Sequence, residues 1–130
     1  MMDVLHSEIV DAVRRALAED IGSGDVTSEA CIAADDMASG YFLAREPQVV
    51  AGVELLPLIY ETVQVEKRSG ERVAGGDVIA RVEGSARGLL AYERTALNFL
   101  QHLGGIATLA AQYVECVAGT GCKVLDTRKT

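Results

Sequence analysis

The chain has 130 residues, 49% of them apolar and 24% charged, with a formal net charge of −7 and 3 cysteines. One domain of this size buries roughly two thirds of its unfolded surface, enough for a core without disulfides or a structural metal. The acidic balance excludes a general nucleic-acid or membrane surface, since both need an excess of Lys and Arg. It still allows a small anion held by a few converging cations.

Residues 1–8 lack the basic start and apolar centre of an export signal, and the longer apolar runs are interrupted by charge, so a cytoplasmic protein is expected. Cys31, Cys116 and Cys122 are odd in number and have no C-x-x-C spacing. They therefore read as free thiols in or against the core rather than a disulfide framework or a zinc site.

Asp3 can cap a first helix in which Leu5, Ile9, Val13, Ala16 and Leu17 recur at helical spacing, and Gly22 is placed to end it. The stretch Glu19-Asp20-Ile21-Gly22-Ser23-Gly24-Asp25-Val26-Thr27 lacks a complete EF-hand ligand spacing and reads as a tight, capped connection. Asp25 or Thr27 would satisfy the backbone N–H groups of the turn that follows. Residues 38–45 read as a strand closed by Pro47. Residues 52–61 read as a helix with Pro57 in its first turn or at a kink, and residues 63–66 as a short strand. From Gly70 to Gly84 the chain is a glycine-punctuated β run with its tightest turn at Gly75-Gly76-Asp77. That pattern also occurs in lipoyl and biotinyl carrier modules, but Lys67 has the wrong neighbours for a carrier lysine.

Ser85 can cap a long amphipathic helix. At about 100° per residue, Leu89, Leu90, Tyr92, Ala96, Leu97, Phe99, Leu100 and Leu103 share its packing half, while Arg94, Asn98, Gln101 and His102 share the other. Glu93 breaks the pattern by falling on the apolar half. It is expected to be a buried or interfacial partner for an arginine. Gly104-Gly105 is expected to break the helix, because each glycine costs about 1 kcal/mol in a helix interior. Ile106, Leu109, Ala110, Tyr113 and Val117 then restore helical spacing before Gly119, and residues 123–127 read as a strand. A strand there has little to pair with, so more protein is expected after it. Gly119-x-Gly121-x-Lys123 is no P-loop, lacking both the four-residue spacer and the hydroxyl residue after Lys.

The informative cations are Arg94, Arg128 and Lys129. Arg offers a planar fork for a carboxylate or phosphate, and Lys a mobile point charge. A strand-end Arg-Lys pair following the hydroxyl of Thr127 suits a polyanionic ligand. The cations lie within runs that carry a family resemblance: Glu19-Asp20-x-Gly22-x-Gly24-Asp25-x-Thr27, Ala44-Arg45-Glu46, Glu93-Arg94-Thr95-Ala96-Leu97-Asn98-Phe99-Leu100-Gln101, Gly105-Ile106-Ala107-Thr108 and Asp126-Thr127-Arg128-Lys129-Thr130. In order and over nearly the whole chain, these resemble the nicotinate-nucleotide pyrophosphorylases, also called quinolinate phosphoribosyltransferases. Gly104 departs from the family's small hydroxyl residue.

The resemblance implies an α+β fold: an N-terminal domain of the α/β-hammerhead type over residues 1–119, and the first strand of an α/β barrel over residues 120–130. The family reaction joins quinolinate to phosphoribosyl pyrophosphate with Mg²⁺ and gives nicotinate mononucleotide, pyrophosphate and CO₂, a step of NAD biosynthesis. By resemblance, Arg94 reaches across a homodimer interface to the quinolinate carboxylates in the partner's site. Arg128 holds the same dicarboxylate, Lys129 lies near quinolinate and the phosphoribosyl group, and Thr127 belongs to the same binding run. No catalytic residue and no metal ligand is assigned within the chain, because those groups come from later barrel strands, and the chain alone is expected to be inactive. His6 and His102 receive no role. Two other readings are a pyrophosphorylase-like protein associated with molybdate transport and a non-catalytic carrier module.

Overall fold

The computed structural model describes residues 6–127. The first helix, α1, runs Ser7–Ile21 and ends at Gly22, whose φ of 54° lets the chain turn sharply while its N–H donates to the Ala18 carbonyl. Val13 is its buried residue, flanked by the half-buried Ile9 and Leu17. Asp3 and Leu5, expected at its start, lie outside the described residues. A six-residue helix, α2 (Val26–Cys31), follows at once and is capped by Asp25, whose carboxylate accepts from the Ser28 N–H at 3.2 Å. The sequence suggested only a turn at this point. Six residues are too few to show a helical period, and α2 owes its place to the long helix: Arg87 donates to the carbonyls of Glu29 and Ile32 at its C-terminal end.

Strand β1 (Met37–Leu43) pairs antiparallel with β5 (Val78–Ser85), which pairs on its other edge with β3 (Thr62–Val65). The eight-residue β5 is therefore the centre of the order β1-β5-β3. It buries Ile79, Ala80 and Val82 and sends Arg81 and Glu83 outward. A second, two-stranded ladder joins β2 (Gln48–Val49) to β4 (Arg72–Val73). Between β2 and β3 the expected helix is shorter and tighter, a 3₁₀ helix over Val53–Leu58 with Pro57 inside it. Its entry, Gly52, has a φ of 87°, and Leu103 lies only 2.7 Å from where a Cβ would stand, so both backbone and space favour glycine.

The remaining helix, α3, runs Ala86–Cys116, with the Ser85 hydroxyl capping the Gly88 N–H at 3.3 Å. The expected break at Gly104-Gly105 does not occur. Gly104 is buried with its missing side chain facing the Val49 carbonyl, 3.4 Å from the Cβ position. One turn later Thr108 Oγ1 accepts from the Val49 N–H at 2.9 Å and donates to the Gly104 carbonyl at 2.7 Å. Docking on β2 thus offsets the propensity cost of the glycines, a tertiary override of a local signal.

The core lies between α3, the three-stranded sheet and the 3₁₀ helix. It contains Phe42, Val53, Leu56, Tyr60, Val82 and Ala96, with Tyr60 meeting Phe42 and Tyr92 at ring centroid distances of 6.1 Å. Cys31, Cys116 and Cys122 are all exposed, contrary to the expectation of packed thiols. Residues 122–127 have no regular structure and Leu125 is exposed, so the strand expected over residues 123–127 is not formed. An isolated strand leaves its backbone groups without ladder partners, and none is offered to it among the described residues.

Candidate active site

The last turn of α1 carries Glu19 and Asp20, and no basic residue. This end of a helix carries a partial negative charge, so two carboxylates there are unfavourable unless something positive faces them. Arg94 of α3 supplies it. Arg94 Nη1 donates to Asp20 Oδ1 at 3.1 Å, while Thr95 Oγ1 donates to Asp20 Oδ2 at 3.2 Å. The two partners differ sharply in exposure: the Asp20 side chain is 19% exposed and the Arg94 side chain 78%.

Arg94, Asn98, Gln101 and His102 of α3 line an open groove of about 900 Å³, with Glu19 and Asp20 on its α1 side. The polar stripe expected from the wheel is therefore gathered on one surface. Asp25 stands on the far side of Arg94 across a smaller hollow. Its carboxyl is held below the usual range, chiefly by the Ser28 hydroxyl and then the Ser28 N–H, with Arg94's positive charge a smaller contribution. The guanidinium thus rests in an acidic collar. Apart from Nη1, its donors meet no hydrogen-bond partner among the described residues. Such a fork can take a carboxylate or phosphate on its open edge.

Glu93 does not fill the role expected of it. It is exposed, and no ion pair reaches it among the described residues, because the helix turns its side chain to the rim of another groove beside Leu90 and Tyr60. Its charge is felt there: burial first, and Glu93 second, push the Tyr60 hydroxyl up to about 12. That groove has a volume of about 910 Å³ and is bordered by the exposed Tyr41, Leu43 and Leu90. Thr127 is exposed, lines neither groove, and is not brought to Arg94. Arg128 and Lys129 lie outside the described residues. Lys67 is no free carrier lysine, since it faces Glu71 at 3.5 Å and Asp77 at 3.9 Å. Among the described residues no three His, Cys, Asp or Glu side chains come together as a metal site. No described helix is long and apolar enough to cross a membrane.

The family model of the quinolinate phosphoribosyl transferase N-terminal domain matches residues 25–104, more than half of the chain. The chain belongs to this family. Its match takes in α2, all five strands and the Arg94 region of α3. Among named proteins of the quinolinate phosphoribosyltransferase family, the nicotinate-nucleotide pyrophosphorylase (carboxylating) of Mycobacterium leprae is 40% identical over 92% of this chain and 45% of its own length. The chloroplastic counterpart of Arabidopsis thaliana is 42% identical over 91% of this chain and 35% of its own. The crystal structure of NadC from Streptococcus pyogenes superposes with a TM-score of 0.91 at 36% identity, covering all of this chain and 48% of that one. The mixed helix and sheet architecture is thus the N-terminal part of such proteins, and the chain spans less than half the length of these relatives.

Sequence reasoning located Arg94 and its stripe but missed Asp20, which holds Arg94, and Thr95, which holds Asp20. The signal was present, since an acidic pair at a helix C-terminus points to a distant cation. Nothing local says which cation that is, 74 residues away.

Proposed function

We propose that this chain is the N-terminal portion of a phosphoribosyltransferase that joins quinolinate to phosphoribosyl pyrophosphate, giving nicotinate mononucleotide, pyrophosphate and CO₂ in NAD biosynthesis. The observation that carries this reading is the Arg94 guanidinium, anchored through one nitrogen and open along the rest of its edge on a polar, exposed groove. Quinolinate has two carboxylates on adjacent ring carbons, so more than one cation is needed to hold it, and a bidentate fork is well matched to each. The names of the relatives support the same substrate.

In this reading the protein acts in the cytoplasm as a homodimer in which Arg94 of one subunit completes the pocket of the other. The exposed Tyr41, Leu43 and Leu90, and further along α3 Ile106, Leu109 and Tyr113, support burial of this surface against further protein. Arg128 and Lys129, with Thr127 beside them, contribute to quinolinate and phosphoribosyl binding from the partner's barrel. Mg²⁺ would be held there as well, by carboxylates outside this chain, and would supply positive charge beside the pyrophosphate group. The chain by itself has no turnover.

The test is the quinolinate-dependent and phosphoribosyl pyrophosphate-dependent formation of nicotinate mononucleotide by the full-length protein, followed by chromatography. Product is expected only with both substrates. Pyrophosphate release with another ring acid but not with quinolinate would transfer the protein to the molybdate-associated branch.

A further inference from the structure

We propose that Asp20 is a positioning residue that sets the direction in which Arg94 presents its guanidinium to the substrate. The inference rests on the reading of Arg94 as a quinolinate-binding group. It begins from two contacts of one carboxylate. Oδ1 accepts a hydrogen bond from Arg94 Nη1 at 3.1 Å and Oδ2 accepts one from the Thr95 hydroxyl at 3.2 Å. A carboxylate held at both oxygens cannot rotate freely, and Thr95 is itself 4% exposed and therefore fixed in the packing. The chain of restraint runs from the buried Thr95 through Asp20 to the tip of a side chain that is otherwise 78% exposed.

An arginine so exposed loses rotamer freedom when it binds a ligand, and that ordering opposes binding. Asp20 makes part of that restriction before the ligand arrives. It also engages Nη1 alone, so the edge offered to a carboxylate is the one formed by Nη2 and Nε. No other acidic side chain reaches Arg94 within ion-pair distance among the described residues. Asp25 senses its charge but is engaged with Ser28, and Glu19 lines the groove without bonding to the guanidinium. Asp20 is thus the anchor, and its companions only shape the local field.

The role predicts an effect on quinolinate that passes entirely through Arg94. In the full-length enzyme, Asp20→Ala should raise the quinolinate KM about tenfold, with the phosphoribosyl pyrophosphate KM within about twofold of the parent. Asp20→Asn keeps an oxygen that can accept from Nη1 and should raise the quinolinate KM only about threefold. In an Arg94→Ala background neither substitution should change the quinolinate KM further, because the group being positioned is gone. An equal KM increase in that background, or a parallel rise for both substrates, would overturn the positioning role and leave Asp20 as a packing residue. If Asp20→Ala fails to fold, Asp20→Asn is read in the same cycle with the same criteria. Arg94→Ala without any effect on quinolinate KM removes the reading of Arg94 and this inference together. An Arg94→Ala effect without an Asp20 effect removes this inference alone.

Discussion

The continuity of α3 through Gly104-Gly105 can be tested by replacing Gly105 with alanine. Gly105 is exposed, lies within the helical span, and a Cβ at its position meets nothing within 4 Å. Ala should therefore gain the full helix-interior difference, about 0.5–1 kcal/mol, with no steric term against it. For a domain near this size that corresponds to a rise in Tm of about 2–5 °C. Gly104 provides an internal control, since it is buried and its Cβ position already lies 3.4 Å from the Val49 carbonyl oxygen and 3.5 Å from Gln48 Oε1. Leucine there should cost about 1–3 kcal/mol by forcing α3 away from β2. Thermal unfolding followed by circular dichroism at the helix band measures both. A fall in Tm for Gly105→Ala would refute a continuous helix, because a glycine pair at a real break adopts backbone angles that alanine resists.

Two further substitutions probe stability. Tyr60 titrates at about 12 rather than 10.0, so its neutral form is favoured in the folded state. Above pH 10 the unfolded chain loses that proton first, and stability should fall by about 2 kcal/mol as the pH rises from 10 to 12. Urea midpoints across that range would show the fall in the parent and its absence in Tyr60→Phe; equal slopes would contradict it. Arg87→Met deletes the donors to Glu29 and Ile32 and should cost about 2 kcal/mol. Amide exchange in α2 should then quicken more than in β5, and uniform exchange across both would show that Arg87 does not hold α2 in place.

The parts of the fold that were legible in the sequence are those governed by local chemistry. Gly22 ends α1, Ser85 caps α3, Asp25 caps the backbone that follows it though as a helix rather than the expected turn, and alternation marks β1 and β3. What escaped depends on contacts between distant segments. The glycine pair looks like a break until Val49 is brought against it, and α2 is invisible until Arg87 reaches its carbonyls. Glu93 shows the opposite failure, where a wheel position was taken for burial. The packed arc of α3 is narrower than its apolar half, and Glu93 falls beyond its edge. At the site the same division holds. The Arg94 stripe follows from helical spacing within α3, whereas the Asp20 anchor is a tertiary pairing that no spacing rule encodes.

The central claim is that Arg94 acts in a site completed by another subunit, and complementation tests it most directly. Full-length Arg94→Ala and Lys129→Ala proteins, each with its activity at low quinolinate far below a quarter of the parent's, are mixed under conditions that exchange subunits, and nicotinate mononucleotide formation is measured at that quinolinate concentration. If Arg94 serves the partner's pocket, each mixed dimer regains one intact site, and activity should return to about a quarter of the parent's at random exchange. If the mixture stays at the level of the separate variants after exchange is verified by mass, Arg94 and Lys129 serve the same subunit's site or no common site, and the account is contradicted.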